Sequence, residues 1–119
     1  MRVTRMPASR VIRAAMFYAF AQELRLIGDD VPADVLQEVV SDAIDHFGVE
    51  PNEIAEQFRC GRATVSRWKS GESVPVPYMR RSIVIWLADR MEREAMANEE
   101  LASSRVVELY SAAQRQQAQ

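Results

Sequence analysis

One cysteine and one histidine stand in this chain of 119 residues. Cys60 has no second thiol to meet, which excludes an intramolecular disulfide and fits a reducing compartment, the cytoplasm. With His46 as the single imidazole, a zinc site of the usual His/Cys spacing cannot be built. A Cys60–His46 nucleophile pair is disfavoured, because Cys60 falls at an apolar position of a helical pattern. The acids Asp42, Asp45, Glu50 and Glu53 have no glycine-rich phosphate loop beside them. No enzymatic activity, metal or cofactor is expected from such a set. His46, among acids, is expected on the surface.

Glycine and proline are also few, four and five. They sit between stretches with apolar residues at helical spacing, and strand signals are scarce. No apolar run is long enough to cross a membrane. Residues 1–21 begin basic and turn apolar over Val11–Ala21, in the manner of a secretion signal. Arg13 interrupts that run, however, and Glu23 and Arg25 continue its period, so a helix is the better reading.

What the chain does have is apolar residue, 48% of the total, enough to bury a core. The pattern predicts an all-α protein. A first helix is expected over Ser9–Ile27, with Ile12, Met16, Phe20, Leu24 and Ile27 inward and Val11, Phe17 and Tyr18 widening that face. A second covers Ala33–Phe47, with a stripe of Val35, Leu36, Val39, Val40, Ala43, Ile44 and Phe47. A third covers Pro51–Phe58, where Pro51 suits the first helical position. A fourth runs from Arg62 to Lys69 or Ser70, with Gly71 as its stop. A fifth starts near Pro77 and reaches Met91 or beyond. Residues 94–119 favour helix, with Leu101, Val106, Leu109 and Tyr110 as apolar contacts and a frayed end from Gln114. Residues 1–32 thus form an arm and an extra helix, 33–91 a central domain and 92–119 a helical extension.

The formal net charge of −2 hides a segregation. Residues 1–22 carry four arginines and no acid, and residues 23–58 carry ten acids against Arg25 alone. Residues 59–81 then carry Arg59, Arg62, Arg67, Lys69, Arg80 and Arg81 against Glu72. A basic block of this kind is a local electrostatic footprint for an anionic partner.

The third and fourth helices are separated only by the turn around Arg59–Gly61. Two short helices joined this tightly cross steeply, and Ala55 is a small residue where the backbones approach. Ile54, Phe58, Cys60, Val65 and Trp68 fall inward, and Arg62, Ala63, Ser66, Arg67 and Lys69 stay outside. An exposed helical face of Arg, Ser, Lys and Ala suits a major groove, because arginine can bond guanine bidentately and an alanine methyl can pack on a thymine methyl.

The segments Pro51-Asn52-Glu53-Ile54-Ala55-Glu56-Gln57-Phe58 and Arg62-Ala63-Thr64-Val65-Ser66-Arg67-Trp68-Lys69-Ser70-Gly71 resemble the phage-repressor helix-turn-helix family, the Cro or XRE type. The resemblance covers about residues 33–91. It implies a five-helix lambda-repressor-like domain, here with an extra N-terminal helix and a C-terminal helical extension. It also implies a transcriptional regulator, a repressor in many members, that binds double-stranded DNA as a homodimer on a palindromic operator, in association with the nucleoid. By position, Arg62, Ala63, Ser66 and Arg67 would contact bases. Asn52, Thr64, Lys69 and Ser70 would contact phosphate, with Arg80 and Arg81 replacing a loop that is often basic in the family. Arg59 stands where the family's turn carries glycine. Either Arg59 takes the left-handed conformation, or Gly61 absorbs the turn and shifts the fourth helix by a residue.

The first helix and the segment after Met91 are the expected dimerisation parts, and the basic arm Arg2–Arg13 a further phosphate or minor-groove contact. No small-molecule ligand is evident from the sequence. The rival reading is a protein–protein interaction module, or a packaging or replication adaptor built on the same fold, for which the acidic second helix speaks.

Overall fold

The structure, a computed structural model, describes residues 9–117; of these, the side chains of residues 102–107, 110 and 117 are left aside. Among the described residues five helices follow one another: α1 (Arg10–Leu26), α2 (Ala33–His46), α3 (Pro51–Gln57), α4 (Arg62–Ser70) and α5 (Pro77–Gln117). Among the described residues there is no strand, and no helix is long and apolar enough to cross a membrane.

The local chemistry explains the boundaries. Ser9 caps α1, its hydroxyl accepting from the Ile12 N–H at 3.4 Å. Glu50 and Glu53 cap α3 reciprocally: the Glu50 side chain accepts from the Glu53 N–H, and the Glu53 carboxylate from the Glu50 N–H at 2.9 Å. Pro51 and Pro77 open α3 and α5, where a missing N–H costs nothing. Gly28, Gly48 and Gly71 follow α1, α2 and α4 at positive φ.

All five helices feed one core. Its floor is Leu36, Val39, Val40 and Ala43 of α2, as the apolar stripe predicts, with Ile54 and Ala55 of α3 and Val65 and Trp68 of α4 above it. Ile83, Val84, Leu87, Ala88, Met91 and Ala95 of α5 close one side.

The expected inward face of α1 is met at Phe17, Phe20, Leu24 and, in part, Ile27, and fails at its start. Ala14, Phe17, Phe20, Ala21 and Leu24 are buried, whereas Ile12 is exposed, as are Val11 and Tyr18. The cause is that α1 packs chiefly along α5. A single helical neighbour takes one stripe at three- and four-residue spacing, and Ile12 falls off it. Arg25 anchors the far end, its Nη2 lying 2.6 Å from Asp89 and 3.1 Å from Glu92.

The C-terminal extension is helical, as expected, and continues α5. α5 is one helix of 41 residues and passes through residues 91 and 92 without a break. No Gly or Pro follows Pro77, and Ala, Glu, Leu and Arg propagate a helix readily. The same propensity carries the helix past Gln114, where a frayed end is expected, to Gln117. At 1.5 Å per residue α5 measures about 60 Å, close to the 65 Å longest dimension of the molecule. Leu101 and Leu109 on it are exposed. Val106, Tyr110 and the arm residues before Ser9 lie outside the described residues.

His46 also departs from expectation. Its side chain is only 17% exposed, and its Nε2 lies 4.0 Å from Asp42.

Candidate nucleic-acid interface

The geometry of α4 is set by the turn before it. Phe58 ends α3, and Arg59 adopts a left-handed backbone, φ 54°. The Arg59 N–H donates to the Glu56 carbonyl at 3.4 Å and the Cys60 N–H to the Ala55 carbonyl at 2.9 Å. These are the two bonds of a Schellman stop, with arginine where glycine is the usual choice. Gly61 is extended, φ −86°, and caps α4 instead of making the turn. The fourth helix therefore begins at Arg62 with no shift of register. Cys60, half-buried, packs against the core, and its burial pushes the thiol above its ordinary value. Phe58 meets Trp86 of α5 edge to face at 6.0 Å.

Val65 and Trp68 are the buried residues of α4. The opposite side presents Arg62, Ala63, Ser66 and Arg67, all exposed. Neither arginine is held by a carboxylate among the described residues; Arg67 Nη2 donates to the Thr64 hydroxyl at 3.3 Å. Arg62, Ser66 and Lys69 line one side of a recess of about 250 Å³, closed by Ile44, Val65 and Pro51. Asn52 is exposed at the start of α3.

The remaining candidates are less free. Lys69 Nζ lies 2.8 Å from Asp45 on α2. That ammonium holds the Asp45 carboxyl below its ordinary value, outweighing the effect of burial. The Ser70 hydroxyl donates to the Arg67 carbonyl and accepts from the Glu72 N–H. Arg80 is half-buried; its Nε donates to the Pro75 carbonyl at 2.8 Å and its Nη1 to the Val31 carbonyl at 3.0 Å. Its guanidinium thus ties the loop after α4 to the loop before α2. Arg81 pairs with Asp29 at 3.3 Å, both well exposed.

Two features escape a reading of the sequence. Asp45 looks like one more solvated acid of α2, and only the docking of α2 on α4 makes it the partner of Lys69. Glu53 accepts from Arg90 of α5 at 3.1 Å, so α3 is clamped to α5; a contact across 37 residues leaves no local signal. Among the described residues no group of three or more His, Cys, Asp or Glu is placed to hold a metal ion. No protein-family model, curated protein or solved structure matches the chain.

Proposed function

We propose that the protein is a sequence-selective DNA-binding regulator that lays α4 in the major groove. The observation that carries this reading is the division of α4 into a buried side, Val65 and Trp68, and an exposed side, Arg62, Ala63, Ser66 and Arg67. Two arginines that meet no carboxylate among the described residues have donors to offer to guanine edges, and Ala63 between them lets the backbone approach closely. In this reading Asn52 and Thr64 reach phosphate. Lys69 does so once it leaves Asp45, and Arg80 is kept for the fold.

One nine-residue helix is a small reader, so the proposal includes a two-fold dimer on half-sites about 34 Å apart. Val11, Ile12 and Tyr18 of α1, exposed after α1 has packed on α5, and the exposed Leu101 and Leu109 of α5 are the surfaces offered for it.

A gel-retardation series against random duplex, at low and at moderate salt, tests the reading. The expected result is a shift that fades with salt. Selection from a random pool should then enrich a partly palindromic site. The rival, a protein-interaction module, draws on Asp45, which places a carboxylate against the basic helix. It requires no shift at any salt, and that result would remove DNA from the account.

A further inference from the structure

A separate recess, of about 200 Å³, opens where the first turns of α2, the end of α4 and the loop between α4 and α5 meet. Leu36, Trp68 and Pro75 give it an apolar wall, and Asp34, Gln37 and Ser73 add three polar side chains. Among the described residues none of these three side chains has a hydrogen-bond or ion-pair partner, so each keeps an acceptor free. Gln37 lies over Gly71, where an added Cβ would stand 2.7 Å from Gln37 Oε1. The glycine that stops α4 thus also makes room for this acceptor.

The charges around the recess do not cancel. Lys69 is answered by Asp45 and Arg81 by Asp29, and Arg67 turns to Thr64. Arg80 stands behind Pro75, its Nε and Nη1 given to the Pro75 and Val31 carbonyls. Against that one cation stand Asp34, Glu38 one turn further along α2, and Glu72 between Gly71 and Ser73. All three are exposed, and none is ion-paired among the described residues. The positive end of α2 favours Asp34 in its first turn, but the negative end of α4 opens on the same recess and offsets it. A negative balance remains beside an apolar wall.

An ammonium has three N–H donors and no acceptor. The Asp34 carboxylate, the Gln37 amide oxygen and the Ser73 hydroxyl offer it three acceptors, one of them charged. An anion would meet the Asp34 charge, and a neutral alcohol would leave that charge unanswered. A cavity of about 150 Å³ holds benzene, so this recess has room for one small ring with a short ammonium arm.

We propose that this recess binds a small primary ammonium carrying a compact apolar body, its ammonium on Asp34, Gln37 and Ser73 and its body against Leu36 and Trp68. The site uses none of the exposed residues of α4 and does not depend on DNA binding.

Benzylammonium, titrated into the full chain by amide NMR with no duplex present, is the test. Saturable binding is expected, with shifts centred on Asp34, Gln37, Ser73 and the Trp68 indole N–H. Asp34→Asn should weaken it about tenfold, and Arg62→Ala should change nothing. Benzyl alcohol and methylammonium should each bind about tenfold more weakly than benzylammonium. Should Asp34→Asn melt early by circular dichroism, Ser73→Ala takes its place, with an expected loss of about threefold. No saturation at about 20 mM ligand would overturn the proposal, as would shifts centred away from this recess or an unchanged affinity in the variant that folds. Benzyl alcohol equal to benzylammonium would remove the ammonium assignment, and methylammonium equal to it would remove the apolar one.

Discussion

Lys69 of α4 and Asp45 of α2 form an ion pair at 2.8 Å, so the last cation of the basic helix is held by a neighbouring acid. Both side chains are more than a third exposed. A surface pair of this kind is worth about 0–1 kcal/mol to the fold. Its larger consequence is electrostatic, because it withholds one positive charge from the surface proposed to meet DNA.

Asp45→Asn is therefore expected to raise affinity for duplex of any sequence while changing stability by less than about 1 kcal/mol. One more phosphate neutralised steepens the dependence of log K on log salt by about 0.9. Binding isotherms at four salt concentrations, for the native chain and the variant, read this slope. A slope that stays the same would show that Lys69 already reaches phosphate or never does.

Arg59 carries a testable strain. Its φ of 54° costs a side chain with a Cβ about 1 kcal/mol relative to glycine. Arg59→Gly is expected to raise the melting temperature by about 2–6 °C, and Arg59→Val to lower it. A thermal melt in which glycine gains nothing would mean that the turn relaxes when the side chain is removed.

The contrast between this turn and Asp45 shows which features are legible in a sequence. The stripe of α2, the stop at Gly71 and the inward positions of Val65 and Trp68 obey local periods, so they can be read directly. The turn at Arg59 left two solutions open, because both Arg59 and Gly61 could bend the chain; the hydrogen bonds to Ala55 and Glu56 decide for Arg59. On α1 the period places Phe17, Phe20 and Leu24 inward, as found, but it also claims Ile12, which is exposed, because periodicity alone cannot tell how many neighbours a helix has. Pairings such as Lys69–Asp45, Glu53–Arg90 and Arg10–Asn98 join distant segments, and no local spacing announces them.

Acid should weaken the clamp between α3 and α5. Burial pushes the Glu53 carboxyl up, but the Glu50 N–H and the Arg90 guanidinium outweigh it and hold the group below its ordinary value of 4.5. A folded value below the unfolded one means that the stabilisation is full above about pH 4.5 and is lost as pH falls through the lower folded value. Asp45 behaves likewise below its ordinary 3.8, through Lys69. Urea melts between about pH 6 and pH 3 should show stability falling only in the acid part of that range, and less steeply in Glu53→Gln. The effect is modest, because Glu53 remains 36% exposed. Equal acid slopes in the two proteins would remove Glu53 from this account.

The arginines of the basic block divide by task, and their alanine variants should divide in the same way. Arg62 and Arg67 are exposed, so Arg62→Ala and Arg67→Ala leave the fold intact. Each is expected to cost about 1–3 kcal/mol of binding to the best site and to relax selection at one base-pair position. Arg80→Ala should do the reverse. It strands the Pro75 and Val31 carbonyls and is expected to lower stability by about 1–3 kcal/mol, with the salt dependence of DNA binding unchanged. Selection from a random pool, run beside a denaturant melt for all three variants, separates these effects. If Arg62→Ala and Arg67→Ala both bind the best site as tightly as the native chain, then α4 does not read bases. The exposed cationic side of that helix would then have to be explained by a protein partner.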